Sequence, residues 1–284
     1  MPYPTATPAT WFVTGTSRGL GLELVKQLLE RGDNVTATTR SPGRLTAALG
    51  EVDTQRLSIV DVDLVDSGSV SSAVDETVER FGGLDVVVNN AGYGLIGSVE
   101  DTTDIEARAM FDIHIFGVWN VLRATLPILR TQANGHIINL SSVFGLVAGP
   151  GWGLYNATKF ALEGLSEALA QEVSQFGVKV SVVEPGYFRT DFLTADSLAM
   201  PETVNEAYVP IHETTRTHLA LHGSQLGDPT KGASAIIDMA VKGDGPLHQL
   251  LGSDSYAYAT AKLESLRADF EAGRELAHST DYQV

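Results

Sequence analysis

The sequence predicts an α/β fold: one doubly wound domain, a parallel sheet with helices on both faces. Short apolar runs alternate with helical patterns along most of the chain. The first strand-to-helix junction, residues 14–21, is glycine-rich. The 284 residues are 43% apolar and 19% charged, enough to bury one large core and unlike a disordered chain.

The alternation begins with a short buried strand at residues 11–13. A helix is expected over 20–30, with Leu20, Leu24, Val25, Leu28 and Leu29 on one side. Strands follow at 35–39 and 57–60, a helix at 70–81, and a β-branched strand at 84–88 ending in Asn89. Residues 105–129 read as helix with a break near Gly117. A strand at 136–140, a long helix at 155–176 and a strand at 178–183 complete the regular part. Strand–helix–strand repetition implies right-handed crossovers and hence a parallel sheet. After Pro185 the regularity fades. Residues 187–228 mix bulky apolar groups with polar ones, as expected of either a disordered loop or a lid over a pocket, and the apolar content favours the lid. A helix over 229–241, a strand at 247–251 and a helix over 255–272 close the chain. No repeat or linker divides it, so residues 1–284 read as a single domain.

The formal net charge of -16 makes nucleic acid an unfavourable partner. With no cysteine, disulfides, thiolate catalysis and cysteine metal sites are excluded, and a cytoplasmic location is expected. The opening residues lack the basic start and apolar run of a secretion signal, and no run of about 18 apolar residues suggests a membrane span. No His/Asp/Glu grouping has metal-ligand spacing, so no catalytic metal is expected.

Three features carry chemistry. Thr14-Gly15-Thr16-Ser17-Arg18-Gly19-Leu20-Gly21 lies between a strand and a helix, where glycines let a pyrophosphate approach helix N–H groups. The alternative is a structural turn that binds nothing. At the end of the second strand, Thr39 is followed by Arg40 where an NAD site usually places a carboxylate. Arg40 and Arg18 suit a 2′-phosphate, so NADP(H) is expected, although either arginine alone reads by default as a solvated charge. Tyr155 and Lys159 share a helix face at i, i+4. A tyrosine titrates near pH 10, and a nearby ammonium is expected to lower that value and make it a usable acid-base. Ser142, after a strand and shortly before Tyr155, can hold a substrate carbonyl oxygen, with Ser141 as its competitor.

Residues 14–21, Asn89-Asn90-Ala91-Gly92, Ser142, Tyr155 with Lys159, and Pro185-Gly186 with Thr190 together resemble the classical short-chain dehydrogenase/reductase family, which has a Rossmann-type fold. The resemblance covers residues 11–272, in a bacterial branch similar to retinol- and steroid-type dehydrogenases. It implies cofactor contacts from Gly15, Ser17, Arg18, Gly19, Leu20, Gly21, Arg40, Tyr155 and Lys159. It adds Asp63 and the Leu64 backbone at the adenine, and Asn90, Ala91 and Gly92 along the adenosine. Pro185, Gly186, Phe188 and Thr190 are implied at the nicotinamide carboxamide. Tyr93, Phe144, Trp152, Tyr187, Phe192, Leu193, Leu198 and Met200 are candidate pocket residues, each with ordinary core packing as its alternative. A homodimer or homotetramer is implied, paired through the helices before Gly135 and around Tyr155.

One position departs from the family pattern. His114 stands where the family usually has an asparagine that positions a water next to the lysine. His114 is expected to hold the same water, and its protonation to make the rate pH-dependent. A packed helix histidine is the alternative. The chemistry expected is hydride transfer between a ketone and a secondary alcohol, on a bulky hydrophobic substrate. The competing readings are a cofactor-sensing regulator with little turnover, which His114 alone suggests, and non-redox chemistry, which the intact glycine turn and lysine oppose.

Overall fold

In the computed structural model, which describes residues 8–194 and 197–282, the β-branched runs become strands and the amphipathic runs cover them. The first half contains β1 (Thr10–Thr14), α1 (Gly19–Arg31), β2 (Asn34–Thr39), α2 (Pro42–Leu49), β3 (Leu57–Asp61), α3 (Ser67–Phe81) and β4 (Val86–Asn89). Next come β5 (Gly94–Leu95), α4 (Asp104–Phe111), a π-helical turn (Asp112–Gly117), α5 (Val118–Gln132), β6 (Gly135–Leu140), α6 (Gly153–Val173) and β7 (Val178–Pro185). The chain continues through β8 (Leu198–Ala199), α7 (Val209–Ala220), α8 (Pro229–Lys242), β9 (His248–Leu251), α9 (Ser253–Ala272) and α10 (Arg274–Ser279).

Seven strands form one sheet in the order β3-β2-β1-β4-β6-β7-β9, every pair parallel. Alternation along β1 explains the two-sided cover. Trp11 and Val13 face one cluster with Leu24, Val25 and Leu28 of α1 and Ile236 and Ile237 of α8. Phe12 faces the other, with Val70 and Val74 of α3, Val121 and Leu129 of α5 and Leu162 of α6. Each such side chain, fully removed from water, contributes about 1.5–3 kcal/mol. Strand order reverses between β1 and β4, so a crevice opens at their C-terminal ends, where dinucleotides bind in doubly wound sheets.

Several elements differ from the sequence expectation. The strand expected from residue 84 begins at Val86, because Gln132 holds Leu84 instead, accepting from its N–H (3.2 Å) and donating to its carbonyl (2.6 Å). The expected break at Gly117 is a widening: the helix passes through the π-helical turn without interruption. Gly117 is there for space, since a Cβ would meet the Leu64 Cβ at 3.0 Å. The helices α2, α7 and α10 were not expected; α7 has weak amphipathic patterning and no buried residue.

Residues 187–228 are an ordered excursion, apart from residues 195 and 196, which lie outside the described residues. β8 pairs in parallel with β5, and α7 packs over the crevice. The base is tied shut. Phe188 bridges to Gly227, the Gly227 N–H donates to the Tyr187 carbonyl (2.9 Å), and the Arg189 guanidinium donates twice to the Gln225 carbonyl (3.1 and 3.0 Å). Among the described residues, no helix is long and apolar enough to cross a membrane.

Candidate active site

The crevice is a continuous cleft of about 900 Å³. At one end lies the glycine turn, with Gly15, Ser17, Arg18, Gly19 and Leu20 on the wall. Gly15 (φ 70°) is pressed so closely on the next strand that a Cβ would lie 2.6 Å from the Ala91 Cα. Gly21 does not reach the cleft; it lies under the turn, where a Cβ would meet the Gly15 carbonyl oxygen at 2.4 Å. Asn90 braces this packing: Nδ2 donates to the Thr14 (2.8 Å) and Gly15 (3.0 Å) carbonyls. The Thr14 hydroxyl accepts from the Asn90 and Ala91 N–H groups, both at 3.0 Å. Asn90 thus builds the turn as well as lining the cleft.

No side chain caps the N-terminus of α1, and its first turn carries no acidic residue. Its N–H groups are therefore available to an anion in the cleft, as a dinucleotide pyrophosphate requires. Arg40 and Asp63 line the same end, with Leu64, Asn90, Ala91 and Gly92. The buried Thr39 occupies the position at the end of β2 where a carboxylate would oppose a phosphate. Arg44, which sequence reasoning missed because α2 was unexpected, joins Arg18 and Arg40. It reaches Asp191 across the cleft, 3.8 Å away. Three guanidinium groups at one end of a strongly acidic chain make a local site for negative charge. The residues present fit a nicotinamide dinucleotide.

Midway along the cleft, Ser142, Tyr155 and Lys159 come together. Ser142 lies two residues past β6 and caps a short 3₁₀ turn, its Oγ accepting from the Phe144 N–H (3.1 Å). Tyr155 and Lys159 project from the first turns of α6, the ammonium 5.7 Å from the phenol ring centroid. Lys159 Nζ donates to the Leu140 carbonyl (2.9 Å), leaving two N–H bonds for other acceptors. The expected lowering of the phenol value by the ammonium is outweighed by burial. Burial pushes Tyr155 well above its ordinary 10.0, and the Ser142 hydroxyl beside it only partly offsets this. Burial also brings Lys159 down to about 8, against the opposing charge of Glu163. Pro185 at the end of β7, and Gly186, Phe188 and Thr190 after it, face the cleft. Gly186 is required by Asp254, whose Oδ1 would lie 2.1 Å from a Cβ.

His114 is buried in the π-helical turn, and both ring nitrogens are taken. The Tyr93 N–H donates to Nε2 (3.1 Å), so the proton of the neutral ring is on Nδ1, which faces Thr158 Oγ1 (3.2 Å). Thr158 in turn donates to the Tyr155 carbonyl (2.8 Å). This corrects two expectations: the ring has no free lone pair for a relay water, and burial together with Lys159 holds its value well below 6.5, so it is not protonated at neutral pH. With the folded-state value depressed, the unfolded chain binds the extra proton. The residue's contribution to stability is thus intact above pH 6.5 and lost as pH falls below it. His114→Asn is expected to flatten that acid loss in urea unfolding while leaving the shape of the pH–rate profile unchanged. A profile that moves with the substitution would put His114 back in the proton path.

Beyond Tyr155 the cleft is aromatic. The Tyr155 ring makes edge contacts with Trp152 (5.4 Å), Phe192 (5.9 Å) and Phe144 (6.4 Å), and Tyr93, Tyr187 and Leu193 complete the wall. Leu198 and Met200 are corrections. Leu198 is buried against Gly94 and Met200 is half-exposed beside a small separate pocket, because the β8 pairing turns both away from the cleft. His218 of α7, missed from sequence, closes over the wall: Nδ1 meets the Thr214 carbonyl (2.8 Å), and Nε2 receives Tyr187 Oη (2.9 Å) and Trp152 Nε1 (3.3 Å).

The family model for short chain dehydrogenase matches residues 9–200, from the glycine turn through Ser142, Tyr155, Lys159 and Thr190. The chain belongs to the short-chain dehydrogenase family. Oxidoreductase BOA17 of Botryotinia fuckeliana is 39% identical to it over 267 residues, covering 94% of this chain and 97% of that one. A short-chain dehydrogenase from Streptomyces avermitilis has the same fold with a TM-score of 0.88 at 36% identity, covering 97% of this chain and 100% of its own. ElxO with NADP bound matches with a TM-score of 0.70 at 25% identity, over 86% and 96% of the two chains. Like its family, this short-chain dehydrogenase is an NAD(P)-dependent oxidoreductase.

Proposed function

We propose that this short-chain dehydrogenase interconverts a bulky hydrophobic ketone and its secondary alcohol, using NADP(H). The observation that carries the reading is the position of Ser142, Tyr155 and Lys159, between an arginine-flanked cofactor end and an aromatic pocket in one cleft. The bound nicotinamide supplies or accepts the hydride. Ser142 orients the substrate oxygen by a hydrogen bond. Tyr155 Oη delivers a proton to that oxygen during reduction and removes it during oxidation. Burial favours the neutral phenol, the form reduction needs. Lys159 stabilises the phenolate left behind and, with its free N–H bonds, suits the ribose hydroxyls. Phe144, Trp152, Tyr187 and Phe192 offer an apolar substrate large complementary faces and exclude water. The regulator reading rested on His114, and a ring with both nitrogens paired gives it no support.

Loss of nicotinamide absorbance with NADPH and a panel of hydrophobic ketones tests the reaction; no turnover on any of them counts against it. The three arginines and the match to an NADP-bound relative support NADP over NAD. Arg40→Asp removes a charge-assisted contact and adds a repelling charge. The NADPH-over-NADH preference in kcat/KM is expected to fall by about ten- to hundredfold, the worth of roughly 1.5–3 kcal/mol. An unchanged preference overturns the assignment of NADP.

The assembly in this reading is a homodimer or homotetramer. Trp119 on α5 and Phe160 on α6 support it, each being a large aromatic close to half exposed (47% and 43%). Light scattering is expected to give at least twice the mass of one chain. A monomer at micromolar concentration contradicts it.

A further inference from the structure

Glu163, Glu184 and His248 stand on three different elements and meet at one point. Glu163 is on α6, one turn beyond Lys159; Glu184 is next to the last residue of β7; His248 opens β9. None of them lines the cleft. Imidazole Nδ1 lies 2.8 Å from Glu184 Oε1 and 3.5 Å from Glu163 Oε2, and the three donor atoms all fall within 4.8 Å of one another. The two glutamates are 4% and 0% exposed, yet Oε2 of each is buried without a hydrogen-bond partner. The parallel sheet makes this grouping: β7 and β9 pair Glu184 with Leu250, two residues from His248, and α6 packs across β7.

The geometry points to a zinc site, in which Glu163, Glu184 and Nδ1 of His248 bind one Zn²⁺ and tie β9 to β7 and α6. Zinc bonds of about 2.0–2.1 Å in a tetrahedron place ligand atoms about 3.3 Å apart, a value the two Nδ1–oxygen distances bracket. Calcium, with longer bonds and six to eight oxygen ligands, does not suit so small a set. Two carboxylates balance the charge of the ion, and an imidazole is a usual zinc ligand. Nε2, the other nitrogen of His248, lies 3.6 Å from Glu167 Oε1. A carboxylate behind the ligand histidine orients the ring and raises its basicity. The His248 side chain is 38% exposed, so the ion has an entrance and a water can take the fourth position. Donors this far apart in sequence leave no spacing motif, so composition and motif gave no sign of the site.

The test is calorimetric titration of ZnCl₂ into untagged, EDTA-treated protein, beside thermal unfolding with and without ZnCl₂. One zinc per chain and a raised melting temperature are expected. Glu184→Gln and His248→Arg should abolish both effects; arginine puts a permanent cation between the two carboxylates in place of the ion, so that variant is expected to fold. Glu167→Gln, on the surface, should weaken zinc binding by about 10–100-fold without unfolding the protein. Zinc uptake equal in wild type and in His248→Arg overturns the site. So does wild type that takes up no zinc, which would leave the cluster a hydrogen-bonded contact between His248 and the two glutamates.

Discussion

Tyr155→Phe is expected to lower kcat by about 10²–10⁴-fold while NADPH still binds. The substitution removes one oxygen and retains the ring that packs against Trp152, Phe144 and Phe192, so the pocket wall stays in place. What disappears, in the proposed mechanism, is the proton donor. Ser142 cannot replace it, because a serine hydroxyl orients the substrate oxygen but is too weak an acid to protonate it. Lys159 is held at the Leu140 carbonyl, 5.7 Å from the ring centroid, and in the proposed mechanism it serves the phenolate and the ribose, not the substrate oxygen. Stopped-flow reduction with NADPH separates the steps. Cofactor fluorescence should titrate as in wild type, and the absorbance decay should slow by the stated factor. Turnover within tenfold of wild type would mean that the proton comes from water, and would remove Tyr155 from the mechanism.

Gly21→Ala is expected to destabilise the fold by about 1–3 kcal/mol and to weaken NADPH binding by tenfold or more. The cause is contact, since a new methyl would sit 2.4 Å from the Gly15 carbonyl oxygen and 2.5 Å from Asn90 Nδ2. Neither atom can yield freely: Asn90 Nδ2 is the donor that ties Thr14 and Gly15 together. Displacing it opens the turn from below and moves the N–H groups that face the cleft. Gly43→Ala is the matched control, because a methyl there meets nothing within 4 Å. Urea midpoints and NADPH fluorescence titration read both effects. If Gly21→Ala behaves like the control, the tight turn is not what forms the anion cradle.

The strands were legible because Trp-Phe-Val, Val-Val-Val and their like are both β-branched or aromatic and locally bounded by glycine or polar residues. The glycine turn, Ser142, Tyr155 and Lys159 were legible because each lies within a short motif whose order along the chain is itself the signal. Arg44 was not, since α2 starts at a proline and carries one buried residue, Leu45, too few to set a period. His218 was hidden for the same reason: α7 buries nothing fully, and its contacts with Tyr187 and Trp152 exist only once the chain has folded back. The environment of Tyr155 was misjudged because pairing with Lys159 can be read from spacing, whereas the depth of burial cannot. The ring of His114 likewise found its partners in Tyr93 and Thr158, which no interval in the sequence announces.

The tie between residues 187–189 and 225–227 gives the excursion above the pocket a single short stem. Lengthening a surface loop is thermodynamically cheap, about 0.6 kcal/mol for each doubling, so long as its ends stay joined. Length can therefore be added to the exposed turns beyond the stem without disturbing the sheet, whereas Thr190, Asp191, Phe192 and the β8–β5 pairing stay tied to the cleft. The rim of the pocket can change in length while its floor, which carries Ser142, Tyr155 and Lys159, stays fixed.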